Sequence, residues 1–137
     1  MRDETFSYAW RGSFTNTEIN RLHAEAFDTR VFDDEEWDRV SQVQTYSLGW
    51  VVARAGDRLV GFANVLWGGL VHAYIEDVMV ATEYRGRRIG VRLIEGARDG
   101  AREAGCELLH VGFDEQLRPF YIDACGFQET GGGLMEL

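Results

Sequence analysis

The sequence predicts a mixed α+β fold: a central, mostly antiparallel sheet of about six to seven strands flanked by about four helices. Three observations predict it. Apolar residues recur at helical spacing soon after residue 15, and the period then changes to valine- and aromatic-rich runs between residues 48 and 80. Beyond residue 88, a helical pattern is followed by a short apolar run, the order of a strand–helix–strand unit. The length is 137 residues, 45% hydrophobic and 27% charged, which suits one globular domain over residues 1–137 and excludes a disordered chain.

Residues 5–11 suit a first strand. Thr15 or Asn16 is a helix N-cap, with Ile19, Leu22, His23 and Ala26 on one helical face. The run Asp33-Asp34-Glu35-Glu36 before Trp37 reads as the acidic first turn of a second, short helix. Residues 49–55 and 58–67 form a hairpin through Ala55-Gly56-Asp57, and Gly68-Gly69 turns into a third strand over 70–80. A helix follows from about Ile89 to Ala104 and stops at Gly105. Residues 106–113 read as a buried strand, and 117–124 as a short helix capped by Asp114 and ended by Gly126. The tail, 127–137, reads as a closing hairpin turned at Gly131-Gly132-Gly133.

All fourteen basic residues are arginine. A lysine-dependent phosphate loop, a kinase strand lysine and a lysine Schiff base are therefore excluded. The three histidines are far apart, and Cys106 and Cys125 belong to no CxxC motif, so neither a metal site nor a disulfide scaffold is expected. The apolar runs are too short to span a membrane, and the charged start MRDETFSYAW lacks a leader's apolar region; a cytoplasmic protein is the expectation. Net charge is −9, yet residues 78–92 hold four arginines and one glutamate. One short basic island on an acidic chain suits a compact polyanion, not a nucleic acid.

That island carries the central motif. Val78-Met79-Val80 is followed, four residues later, by Arg85-Gly86-Arg87-Arg88-Ile89-Gly90 at the opening of a helix. Glycine lets the backbone turn and approach a ligand, free N–H groups at a helix start attract anions, and guanidinium groups suit phosphate oxygens. Strand, loop and helix together describe a diphosphate cradle without lysine.

The Arg-x-x-x-x-Gly spacing resembles motif A of the GNAT superfamily of acyl-CoA-dependent N-acyltransferases, and the order of elements agrees over almost the whole chain. A second signature, Pro119-Phe120-Tyr121-Ile122-Asp123-Ala124-Cys125-Gly126-Phe127, is similar to the family's Phe-Tyr, three residues, Gly-Phe pattern. There are two departures. Arg88 stands where the family often has a glycine, a substitution expected to be tolerated because a residue entering a helix need not have positive φ. Asp114 stands where many members have an asparagine.

The resemblance implies a sheet splayed around the cofactor site, with the diphosphate of acetyl-CoA on Arg85, Gly86, Arg87, Arg88, Ile89 and Gly90. It implies a pantetheine arm paired with the main chain of Val78, Met79 and Val80, and an oxyanion donor N–H near Met79. Tyr121 matches the tyrosine that protonates the leaving thiolate; the alternative is a packed aromatic. Several members place a base near Glu76 and Asp77. Regular alternation would set Glu76 on the face of Val78, and a bulge would alter that. Glu76 is the preferred base, with a cross-strand partner to an arginine as the alternative; Asp77, His110 or a water relay could serve instead. His72 and His110 read as structural. The implied activity is direct transfer of acetyl from acetyl-CoA, with no metal, to a primary amine. The acceptor would be a small molecule or peptide and, given the acidic 33–38 segment, cationic. A monomer or homodimer is expected. The rival is a non-catalytic acyl-CoA sensor or assembly module of the same fold.

Overall fold

The computed structural model describes residues 5–137; the first four residues of the expected domain, and with them part of the charged start, lie outside the described residues. One five-stranded sheet runs in the order β1 (Phe6–Trp10), β2 (Ser47–Ala55), β3 (Arg58–Trp67), β4 (His72–Val80) and β5 (Leu108–Val111). The first three pairings are antiparallel, and β4–β5 is parallel. On one face lies α3 (Ile89–Glu103), where Gly61 faces Ile89 and Leu93 and Gly96 faces Val51. On the other lie α1 (Asn16–Phe27) and α2 (Arg39–Tyr46), with Phe14 edge-on to Trp50 and Phe62. A single π-helical turn, α4 (Pro119–Ala124), completes the set of four helices.

Local chemistry accounts for these elements. Thr15 caps α1 in a full capping box: its hydroxyl accepts from the Glu18 N–H while the Glu18 carboxylate accepts from the Thr15 N–H. That carboxylate also receives both Arg54 Nη atoms, at 2.9 and 2.8 Å, which ties the start of α1 to β2. The β2–β3 turn is Gly56–Asp57, with Gly56 at φ +60°. Valine, phenylalanine and methionine fill both faces of the central strands: Val51, Val60, Phe62, Val65 and Met79 are fully buried.

Four expectations are corrected. The sheet has five strands, not six to seven, because residues 128–137 form no strand and Leu134 is 96% exposed. Three successive glycines contribute no side chains and a large entropy cost, and arms of a few residues cannot offset it. The acidic run does not open α2. Asp33 Oδ1 accepts from the N–H groups of Glu35 and Glu36, closing a turn, and α2 begins at Arg39 with Asp38 as its cap. The third meander strand starts at His72, after a turn in which the Leu70 carbonyl accepts from the Trp67 indole N–H. The last strand is shorter than 106–113 and half-exposed, since only Leu108–Val111 reach β4 and nothing among the described residues pairs its outer edge.

Trp10 locks α3 to the sheet. A Cβ on Gly49 would stand 2.1 Å from its indole, and one on Gly100 would stand 2.6 Å away. Helix propensity alone favours Gly100→Ala by about 1 kcal/mol. The clash with a rigid ring reverses the sign, and a net destabilisation of about 1–2 kcal/mol is expected in urea unfolding. A stabilised variant would show that the indole moves aside freely.

Candidate active site

The site grows from a defect in β4. Asn64 pairs with Glu76 and Phe62 with Met79, so two residues of β4, Asp77 and Val78, oppose Ala63 alone. Asp77 makes this bulge with φ +55°, the left-handed region that Asp adopts more readily than most residues. The bulge resets alternation, and Glu76 shares its face with Met79, not with Val78 as a regular strand would have it. Pairing of β4 with β5 ends just before it, at Ile75 and Val111. Beyond that point β5 has ended, and β4 runs on to Val80 with no strand of the described residues paired to that edge.

Main-chain direction follows from the ladder. The Ala81 N–H donates to the Val60 carbonyl at 2.8 Å. Backbone groups alternate along an extended strand, so those of Met79 also turn toward β3, whereas those of Val78 and Val80 turn to the edge that β5 has left. The Met79 amide itself therefore faces β3 and not the open edge. The Met79 side chain is fully buried in the core, and those of Val78 and Val80 pack against it.

Beyond β4, Thr82–Tyr84 form one 3₁₀ turn, and the loop enters α3 through Gly86 at φ +81°, a conformation glycine accepts without strain. The first backbone bond of α3 runs from the Arg92 N–H to the Arg88 carbonyl, which leaves the amides of Ile89, Gly90 and Val91 ahead of it. Arg85 donates to the Ala26 carbonyl at the end of α1, and Arg87 lies over the Tyr84 ring. Gly90 is small for a second reason: a Cβ there would meet the Phe120 ring at 3.0 Å, so α4 sits against the start of α3.

This contact brings Tyr121 to the opening. Its ring stacks on Phe113, just past β5, at 5.1 Å, and meets Phe120 and Phe127 edge-on. The residue is 6% exposed, and burial, with a smaller effect from Cys125, pushes the phenol up to about 12. It therefore keeps its proton throughout the neutral range. Asp114 contributes no side-chain cap to the turn that follows it.

On the α2 side of the bulge is a cleft of about 400 Å³ lined by Glu36, Trp37, Asp38, Arg39, Gln42, Glu76 and Asp77. Glu76 is exposed in it. Partial burial and then the neighbouring Asp77 raise its carboxyl above the ordinary value, with Arg39 acting in the opposite direction. Arg39, unmarked in the sequence beyond following the Asp38 cap, is 5% exposed and donates to Asp77 Oδ2 at 2.5 Å. Of the tryptophans, Trp37 lines this cleft, Trp50 is buried with its N–H on the Gly12 carbonyl, and Trp67 is exposed. His72 and His110 bond each other, Nδ1 to Nε2 at 2.8 Å, and do not line the cleft. No group of three or more metal-ligating side chains occurs among the described residues, and no helix there is long and apolar enough to cross a membrane.

A β4 that runs on past β5, beside a helix start rimmed with arginine, defines an acetyltransferase architecture. The sequence pattern of the Acetyltransferase (GNAT) family matches residues 13–127, and the chain belongs to that family. Over 66 residues it is 38% identical to the probable glucosamine 6-phosphate N-acetyltransferase 2 of rice, Oryza sativa subsp. japonica; that stretch is 48% of this chain and 39% of the rice protein. The chain thus aligns with about two-fifths of that relative's length. Among solved structures, glucosamine-6-phosphate N-acetyltransferase from Arabidopsis thaliana superposes with a TM-score of 0.80 at 19% identity, over 98% of this chain and 99% of that one. An aminoglycoside N-acetyltransferase in complex with CoA gives 0.77 at 15% identity, over 99% and 96%. At these identities the superpositions speak for the fold alone.

Arg88 corrects a further expectation. It has φ +63°, so the helix-entry position does take the left-handed conformation. A non-glycine residue there costs about 1 kcal/mol. Arg88→Gly should therefore raise stability by roughly that amount in denaturant unfolding, and no gain would mean that the side chain's contacts offset the strain.

Proposed function

We propose that the chain transfers an acetyl group from acetyl-CoA to a primary amine, by direct attack within a ternary complex. The observation that carries this reading is the edge of β4 that runs on past the end of β5, with the arginine-rimmed helix start at one side and Glu76 and Tyr121 flanking the gap. The free backbone edge at Val78 and Val80 suits a pantetheine arm, which pairs as an added strand would. Arg85, Gly86, Arg87, Arg88, Ile89 and Gly90 present main-chain N–H groups and guanidinium charge to its diphosphate. Among the described residues, apart from its chain neighbours, nothing lies within 4 Å of where a Gly86 Cβ would stand, which suits a turn that approaches a ligand. Acetyl-CoA supplies the acyl group and a thiolate leaving group.

Glu76 takes the proton of the incoming ammonium, directly or through a water molecule. A main-chain N–H at the β4 edge faces the oxygen on which negative charge develops, an effect worth about 3 kcal/mol in comparable sites. Tyr121 donates its phenolic proton to the departing sulfur and recovers one that the new amide nitrogen sheds. A phenol held near 12 keeps its proton through the neutral range, so the proton is in place as the C–S bond breaks and charge builds on the sulfur.

Charge favours a cationic acceptor. Four carboxylates, of Glu36, Asp38, Glu76 and Asp77, line the cleft, and the one cation among the described residues that line it, Arg39, is already engaged by Asp77. A phosphate-bearing acceptor, such as the sugar that names the rice and Arabidopsis relatives, would find no free cation among the described residues there. The deciding experiment is thiol release from acetyl-CoA with 1,4-diaminobutane, an aminoglycoside and glucosamine 6-phosphate in parallel. Transfer to the cationic amines is expected, and preference for the phosphorylated sugar would overturn the charge argument. Tight, salt-sensitive CoA binding with no thiol release for any amine would instead favour a non-catalytic acyl-CoA sensor.

Two variants test the assigned roles. Tyr121→Phe keeps the stacked ring, so stability should change by no more than about 1 kcal/mol. Turnover should fall by about 10²- to 10⁴-fold, with CoA affinity nearly unchanged. Full turnover in the folded variant would remove Tyr121 from the mechanism. Glu76→Gln should slow transfer near neutral pH and recover partly at alkaline pH, where free amine is abundant; an unaltered pH–rate profile would point to a water relay.

A further inference from the structure

We propose that Arg39 and Asp77 are positioning residues for Glu76: their ion pair clamps the β4 bulge to the start of α2 and so fixes where the Glu76 carboxylate stands in the cleft. This rests on the reading of Glu76 as the proton acceptor and extends it to two residues that touch neither the acyl donor nor the amine.

The geometry is specific. Asp77 adopts a left-handed backbone where glycine would be unstrained, yet it is an aspartate, and its carboxylate is the partner of a guanidinium that is 95% shielded from solvent. Arg39 is held from three directions. Its Nη1 donates to Asp77 at 2.5 Å and to Gln42 Oε1 at 3.3 Å, and its guanidinium lies 4.5 Å above the Trp37 ring. Its Nε is buried without a partner. A guanidinium so placed is costly unless its counter-charge stays beside it, and that requirement holds the bulge against α2. The helix is itself fixed to α1: Asn16 donates to Asp38 at 2.9 Å and accepts from the Val40 N–H at 2.9 Å. Asn20 donates to the Trp37 carbonyl from below. The clamp therefore joins the acceptor wall to the strand that carries Glu76.

The same pair sets the field at Glu76. Facing this carboxylate are Asp77 on its own strand and Glu36, Asp38 and Arg39 from the segment entering α2. Across β3 stands neutral Asn64, and α1 contributes His23, packed on Trp37. On β5, His110 stacks on Tyr74, two residues away. Asp77 disfavours ionisation of Glu76 and Arg39 favours it. Breaking the clamp from its two ends should therefore have opposite consequences. A purely structural ion pair, broken from either end, would give the same kind of loss.

The test is a carbon-13 titration of the Glu76 carboxylate in the full chain, assigned with Glu76→Gln, for wild type, Asp77→Asn, Arg39→Gln and Arg39→Lys. The expected midpoint moves down by roughly half a pH unit in Asp77→Asn and up by about as much in Arg39→Gln, and returns toward wild type in Arg39→Lys. The acid limb of acetyl transfer to 1,4-diaminobutane should move with it. Shifts in the same direction, or none, in folded variants would overturn the proposal. Should Arg39→Gln fail to fold, Asp77→Asn and Arg39→Lys decide: a midpoint that does not fall in the first, or that rises in the second, would overturn it. Full activity of Glu76→Gln would sink the catalytic reading of Glu76 separately, because the titration judges the clamp without reference to turnover.

Discussion

One residue's backbone organises the molecule. At Asp77 the chain takes a left-handed step, and four consequences follow from that step. Glu76 is set on the face of Met79, so a carboxylate stands in the cleft while a methionine one bulge away fills the core. The main-chain groups of Val78 and Val80 are turned to an edge that no strand occupies. Pairing with β5 stops at Val111, which lets Phe113 and Tyr121 close the far side of the gap. The loop after β4 is then aimed into α3. A flat, regular β4 would set Glu76 and Met79 on opposite faces, so the cleft carboxylate and the buried methionine could not both stand where they do.

Long-range ion pairs and hydrogen bonds tie the elements together: Arg54 with Glu18 joins β2 to α1, and Asn16 with Asp38 and Arg39 with Asp77 join the segment that lines the cleft to α1 and β4. The loop after β4 is tied to α1 and β3: the Thr82 N–H donates to Glu25, Glu83 pairs with Arg58, and Arg85 donates to the Ala26 carbonyl, while Arg88 holds an unfavourable backbone with no carboxylate bonded to it among the described residues. Residues 78–92 hold four arginines and one glutamate in a chain of net charge −9, a local excess of positive charge that favours encounter with an anion.

Much of this was legible in the sequence because it is written in local chemistry. The Thr15 cap, the Gly56 turn, the stop at Gly105 and the arginine-rich entry to α3 each depend on neighbours within a few residues. Tertiary packing decided what was not legible. Glycine at 131–133 looked like a turn, but a hairpin needs something to cover it, and composition does not say whether that exists. The acidic run at 33–36 looked like a helix start, and it is a turn because Asp33 bonds its own following amides. Arg39 was invisible as a cleft residue: nothing within its neighbourhood in the chain announces a partner 38 positions away. The left-handed Arg88 was misjudged because the motif shows which residue stands there and not the angle that it adopts.

The absence of lysine has a consequence for a cradle of this kind. A thioester is an electrophile, and an ε-amine held beside one would in time be acylated and lose the charge for which it was selected. A guanidinium stays protonated and is a poor nucleophile at any pH the fold would meet. In the proposed cradle, Arg85, Arg87 and Arg88 would therefore rim a reactive ligand through many turnovers without becoming its product.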